Sequence, residues 1–184
     1  MQCLSNNSAA AFPPPFVVPA PEGAWAWTSL GSLAAELARV QCSEELLPHI
    51  LRGSLRVLRG DIAAMSLYDS CSHRYRLMGV ASADARWSEW RSLVCRLPPE
   101  FAAAPQAASG VLVLPDDDPH HPFAALLTRA TSAAVYVALH HDDRVFGTLH
   151  VVRPAKLPFG AGDRRQARGI GDHAALALTT VRVV

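Results

Sequence analysis

The last twenty-eight residues, LPFGAGDRRQARGIGDHAALALTTVRVV, constrain the fold more than any other part of the chain. Ala167, Ile170, Ala174, Leu178 and Val181 recur at helical spacing and share one face, and Asp163 lies in the first turn, where orphan amides need an acceptor. Gly169 and Gly171 weaken that helix by up to about 1 kcal/mol each relative to Ala, so packing against other elements must hold it. The rest of the chain therefore has to supply a surface for an amphipathic rod.

Two further helices are read near the start. Thr28 or Ser29 can cap LGSLAAELARVQ, in which Leu30, Leu33, Ala34, Leu37 and Ala38 repeat with helical period. A second helix follows, with Ser43 as cap, Glu44 and Glu45 at the positive end of its dipole, an apolar stripe of Leu47, Ile50, Leu51, Leu55 and Leu58, and Gly60 as terminator. Pro48 belongs in a first turn, so the regular helix is expected to start just before it.

The period then changes to two. IAAMSLYD and RYRLMGVAS flank SCSH and read as an antiparallel hairpin, and GVLVLPDDD reads as a short strand stopped at Pro115. SAAVYVALHHDDRVFGTLHVV gives two strands around a polar tip of His140, His141, Asp142 and Asp143. Between these runs, Trp87 and Trp90 suit one or two helical turns over an apolar surface, and PFAALLTRAT reads as helical. An antiparallel sheet with helices from both chain ends on one face follows from this order.

A chain of 184 residues, half of them apolar, can bury one core, and one domain is expected over residues 25–184. Residues 1–24 hold five prolines among Ala, Ser and Asn, a composition that favours extended, solvated backbone, and read as a flexible arm. Seventeen basic and sixteen acidic side chains leave no electrostatic footprint for nucleic acid or an anionic membrane, and neither partner is expected. Cys3, Cys42, Cys71 and Cys95 form no C-x-x-C pair and fit free thiols in a reducing compartment. The opening segment has no basic start and no sustained apolar run, so it reads as neither signal peptide nor membrane span, and a cytoplasmic location is expected. A P-loop, a glycine-rich dinucleotide turn, a zinc C-x-x-C pair and an esterase G-x-S-x-G are missing from the sequence, which gives no residues for hydrolytic or cofactor-driven catalysis and leads to the expectation of a non-enzyme.

If Val135, Val137, Leu139, Leu149 and Val151 pack beneath the helices, alternation turns Tyr136, Ala138, His140 and His150 to the other face of the sheet. His150 is then a polar residue on a candidate binding face, although a lone histidine there also fits a satisfied interior group.

Several of these segments resemble the GAF domain family of small-molecule sensors. VYVALHHDDRVFGTLHVV is similar to the family's paired strands around G-x-L-x-V/L (Gly147, Leu149, Val151). The tail is similar to its F-S/T-x-x-D helix opening and I-x-x-x-A-A-x-A face (Phe159, Asp163, Ile170, Ala174, Ala175, Ala177), with Gly160 at the usual Ser or Thr position. VLPDDDPHHPFAALL resembles the short strand, acidic turn and helix that precede them. The resemblance implies an α+β, PAS/profilin-like antiparallel sheet of five to six strands, with N- and C-terminal helices on one face and a ligand pocket on the other. It also implies a small-molecule ligand, a homodimer formed by the helices, and regulation of an output domain or partner outside this chain.

Tyr136, His150, His121 and Asp118 are the ligand-binding candidates. HHPF followed by FGTLH is similar to the haem-binding GAF domains of bacterial sensor kinases, a resemblance that implies His121 as the iron ligand, if haem is bound, with His150 across from it. VCRLP around Cys95 is similar to one element of GAF-type methionine sulfoxide reductases, but no partner cysteine stands in PPEFAAAPQAASG or after PDDDP. The hairpin MSLYDSCSHRYRLMGVAS resembles the sensory domains that precede the ATPase module of enhancer-binding transcription activators, which implies a role in transcription regulation.

Overall fold

The computed structural model describes residues 16–19, 29–69, 74–82, 94–95, 110–114, 132–142, 144–154 and 157–181. Among them are three helices and seven strands. α1 is Leu30–Leu37, capped by the Ser29 side chain, which accepts the Ser32 amide. α2 is Ser43–Leu58 and α3 is Ala161–Thr180.

The strands are β1 (Phe16–Pro19), β2 (Ile62–Asp69), β3 (Arg74–Ser82), β4 (Val94–Cys95), β5 (Val111–Leu114), β6 (Ser132–His141) and β7 (Arg144–Pro154). They form one sheet in the order β1-β3-β2-β7-β6-β5, with β4 also paired to β3. The long strands β3, β2, β7 and β6 make an antiparallel centre; the short ones occupy its margins. The fold class is α+β as expected, but the count and direction of strands depart from the sequence reading. β1 pairs parallel with Gly79–Ser82 and β4 pairs antiparallel with Tyr75 and Arg76, so the sheet has seven described strands and is mixed rather than wholly antiparallel with five to six. Both extra strands are too short to show a period, and β1 lies in the proline-rich segment read as the arm. Pro19 ends an edge strand, one of the few sheet positions that tolerate a missing amide.

All three helices lie on one face. Leu33 and Leu37 of α1, Ile50, Leu51, Leu55 and Leu58 of α2, and Ala167, Ile170, Ala174 and Leu178 of α3 form a single core with Ala63, Met65 and Leu67 of β2, Val135, Val137 and Leu139 of β6, and Leu149 and Val151 of β7. The helix residues and those of β6 and β7 are ones that periodicity assigns to the interior; the faces of β2 were not read from sequence. α3 fits closely because two of its turns lack a Cβ: one at Gly171 would stand 2.5 Å from Val137 Cγ1, and one at Gly169 2.4 Å from Leu30 Cδ2.

α2 departs from expectation at both ends. It starts five residues before Pro48, with Cys42 rather than Ser43 at the N-cap position, and the proline lies within the helix. The burial of Leu46 and Leu47 beside Pro48 outweighs the missing hydrogen bond at this point. At the other end the left-handed residue is Arg59, with φ 54°, not Gly60, whose amide closes the helix by donating to Leu55 O at 3.0 Å.

Arg153, near the end of β7, is buried and joins three elements. Its Nη1 donates to Leu58 O at the end of α2 (3.0 Å), Nη2 donates to Pro158 O (2.6 Å) and Asp163 Oδ2 (2.7 Å), and Nε donates to Leu157 O. The guanidinium carbon sits 3.9 Å from the centre of the Phe159 ring. Asp163 in turn accepts the Gly160 amide at 2.9 Å and caps α3. Burial alone raises the Asp163 pKa, but the hydrogen bond and charge of Arg153, the Gly160 amide and the more distant Arg59 together hold it below the ordinary carboxylate value.

Candidate functional site

The face of the sheet opposite the helices is built by alternation. Ala64 and Ser66 of β2, Val80 and Leu77 of β3, Thr148, His150 and Val152 of β7, and Ala134, Tyr136 and Ala138 of β6 all point away from the helical core, and all are buried. The four central strands are therefore dry on both faces. Most of these side chains are small, and two large polar ones stand among them.

Tyr136 and His150 are directly opposite each other on β6 and β7. Their rings meet edge to face, with centroids 4.6 Å apart and an interplanar angle of 68°. His150 Nε2 lies 2.6 Å from Thr148 Oγ1, two residues along the same strand and on the same face, a short hydrogen bond that fixes the ring. Ser66 is the cross-strand partner of Thr148, and Ala64 that of His150. A row of hydroxyl, hydroxyl, imidazole and phenol thus crosses three strands with alanines around it.

The pairing of β2 with β3 shifts register between Met65 and Ser66, which leaves Met78 as the extra residue and brings Leu77 opposite Ser66. Further along, Tyr68 and Tyr75 pair across β2 and β3 with centroids 5.1 Å apart. Burial, with a smaller contribution from Tyr68, pushes the Tyr75 phenol up to about 12, so it stays a neutral hydrogen-bonding group.

At the tip of the β6–β7 hairpin, where His141 pairs with Arg144, Asp142 is left-handed at φ 48°. A register shift between Leu139 and His140 precedes it, and His140 and His141 are exposed there. His141 pairs with Asp142 at 3.6 Å. His140, His141 and Asp142 are thus solvated groups at the hairpin tip. Among the described residues, no group of three or more His, Cys, Asp or Glu side chains is placed to hold a metal ion, and no helix is long and apolar enough to cross a membrane.

A family model described as "GAF domain" matches residues 43–178, three quarters of the chain. The chain belongs to the GAF domain family. Solved structures agree in fold. The GAF domain of an Acinetobacter phosphoenolpyruvate-protein phosphotransferase is 15% identical with a TM-score of 0.64, over 84% of this chain and 93% of that one. A GAF domain/HD domain protein from Geobacter sulfurreducens is 16% identical with a TM-score of 0.62, over 85% and 100%. The photosensory core module of a Stigmatella aurantiaca phytochrome is 14% identical with a TM-score of 0.62, over 82% of this chain and 35% of that chain. A search of curated protein sequences gives no significant match.

Of the four candidates named from sequence, this GAF domain brings Tyr136 and His150 together; His121 and Asp118 lie outside the described residues, as do Trp87, Trp90 and the stretch PFAALLTRAT. The backbone of Cys95 pairs with Tyr75 in β4, and its side chain is not among those described. Sequence reasoning missed Thr148 and Ser66. The signal for Thr148 was present, since it precedes His150 by two on a strand already assigned to this face.

Proposed function

We propose that this GAF domain is a regulatory module that senses a small molecule on the face opposite the helices, with Tyr136 and His150 at the centre of the binding surface and His121 and Asp118 among its contributors. The observation that carries this reading is the Thr148–His150–Tyr136 cluster, three hydrogen-bonding side chains excluded from water on a floor of alanines. A sheet face that only needed covering is served best by aliphatic groups, because each buried polar atom must find a partner or cost stability. A photosensory module is among the proteins of similar fold, which supports a sensory role by analogy.

The face is closed to water in this structure, so ligand entry requires it to open. The protein acts as a non-catalytic, cytoplasmic homodimer that passes the binding event to an output domain or partner, including one in transcription regulation, through its long helices. In this dimer, Leu176, 66% exposed on the outer side of α3, is the apolar group the second copy would cover.

Two-dimensional NMR of the folded protein against small-molecule mixtures tests the reading. Binding is expected to shift the amides of Tyr136, Thr148 and His150 and to weaken at least tenfold in His150→Ala. Ligands that bind only elsewhere sink it. A visible spectrum of protein purified from haem-supplied cells separates the ligand classes: a strong haem absorbance lost in His121→Ala selects haem, and a colourless folded protein removes it. Sulfoxide reduction lost in Cys95→Ser would instead identify an enzyme.

A further inference from the structure

We infer that Ser66 is the ligand's anchor on this face and that the ligand presents an uncharged hydrogen-bonding group to it. The inference deepens the ligand-binding reading above and rests on it. Ser66 is fully buried, and its hydroxyl has no hydrogen-bond partner. That is an unusual state for a buried polar atom, and an unsatisfied hydroxyl destabilises the fold that carries it.

Among the described residues, its three neighbours on this face leave the hydroxyl without a bond. Thr148, directly across the strand, has its oxygen 2.6 Å from His150. Leu77, brought opposite by the register shift, is apolar, and Ala64 on the same strand carries no polar atom. Alternation along β2 aims Ser66, which shares the face of Ala64 while Ala63, Met65 and Leu67 enter the helical core, and the extra residue in β3 sets Leu77 opposite it.

The chemical class follows from what surrounds the hydroxyl. The described side chains of this face, Ala64, Ser66, Leu77, Val80, Ala134, Tyr136, Ala138, Thr148, His150 and Val152, include no carboxylate, lysine or arginine. An anionic group placed against them loses its hydration with no cationic partner among them, which is costly in a dry site, and Asp118, proposed for the same surface, would repel it further. A neutral amide, lactam or heterocycle loses much less and can give or take one hydrogen bond at Ser66 Oγ.

The experiment uses the whole chain, 15N-labelled, titrated with neutral heterocyclic amides and lactams (nicotinamide, uracil, hypoxanthine) and with carboxylates of similar size (nicotinate, orotate), in wild type and Ser66→Ala. Neutral probes are expected to shift the Ser66, Thr148 and His150 amides, with affinity falling about tenfold or more in the variant. Unliganded Ser66→Ala is expected to melt higher than wild type, by about 2–4 °C, because an unsatisfied hydroxyl has gone. Equal neutral-probe binding by both proteins overturns the anchor but leaves the ligand-binding reading standing. Carboxylates that shift these amides while neutral probes do not overturn the ligand class. A lower melting temperature for the variant overturns the premise that the hydroxyl is unsatisfied. A folded wild type whose face responds to none of the probes overturns the inference together with the reading beneath it.

Discussion

Arg153 holds a charge in the interior by giving each of its nitrogens a destination: the carbonyls of Leu58, Leu157 and Pro158 and the carboxylate of Asp163. Such a group contributes little by being buried but is costly to disturb, because truncation strands the partners that closed around it. Arg153→Met keeps the volume and removes the donors. It is expected to destabilise the GAF domain by about 3–5 kcal/mol, read as a lower denaturation midpoint at unchanged slope. The pH dependence follows from the same contact. The Asp163 pKa is depressed in the folded state, so its contribution is complete above the ordinary value of 3.8 and is lost as pH falls through the lower folded value. Stability is expected to decline below about pH 4, and Asp163→Asn is expected to flatten that decline while lowering stability at neutral pH. A decline equally steep in Asp163→Asn would assign it to other carboxylates.

At the level of the element, α3 shows how one residue type carries opposite effects along a single helix. Gly162, in the first turn, has nothing within 4 Å of where a Cβ would be, whereas at Gly171 a Cβ would press on the branched side chain of Val137. Gly162→Ala is expected to stabilise by a few tenths of a kcal/mol to about 1, and Gly171→Ala to destabilise despite the better propensity, since Val137 has no flexible end to move aside. Thermal melts of the two variants should move in opposite directions. The contrast also shows which elements the sequence made legible. The buried stripe of α3 could be read because Ala167, Ile170, Ala174 and Leu178 keep period without interruption, with Val181 continuing it just past the helix end, and the β2–β3 hairpin because both strands are long and richly apolar. The Tyr136 and His150 orientations were readable because β6 and β7 alternate regularly until the shift at Leu139 and His140. Pro48 misled because the burial of its neighbours overrides a local preference. Arg153 gave no signal: a charged residue near a strand end ordinarily faces water, and only the return of the chain through Leu157, Pro158 and Asp163 creates its partners. Ser66 was silent for a related reason, since small hydroxyl residues are common in strands whether or not their hydroxyls matter, whereas Thr148 could have been read from its place two residues before His150.

For the molecule as a whole, β7 connects the two faces: His150 looks toward the candidate ligand site, and three residues on, Arg153 grips the end of α2 and the start of α3. A change at the first can reach the helices without crossing the core. In the homodimer proposed above, the helices would act on a second copy. Leu176 stands on the side of α3 away from the core, and burying a leucine contributes about 1.5–3 kcal/mol, so a symmetric pair contributes about twice that. Leu176→Glu removes this contribution and sets two carboxylates face to face at the interface. Its dimer dissociation constant is expected to rise on the order of 10²–10⁴-fold. Light scattering across a dilution series measures this directly: wild type should hold twice the chain mass at concentrations where Leu176→Glu runs as a monomer. Folding should be intact in both, because the side chain touches solvent rather than the core. A wild type that is monomeric throughout, or a variant that dimerises as tightly, would move the interface off α3 and leave the Arg153 junction with no helix pair to drive.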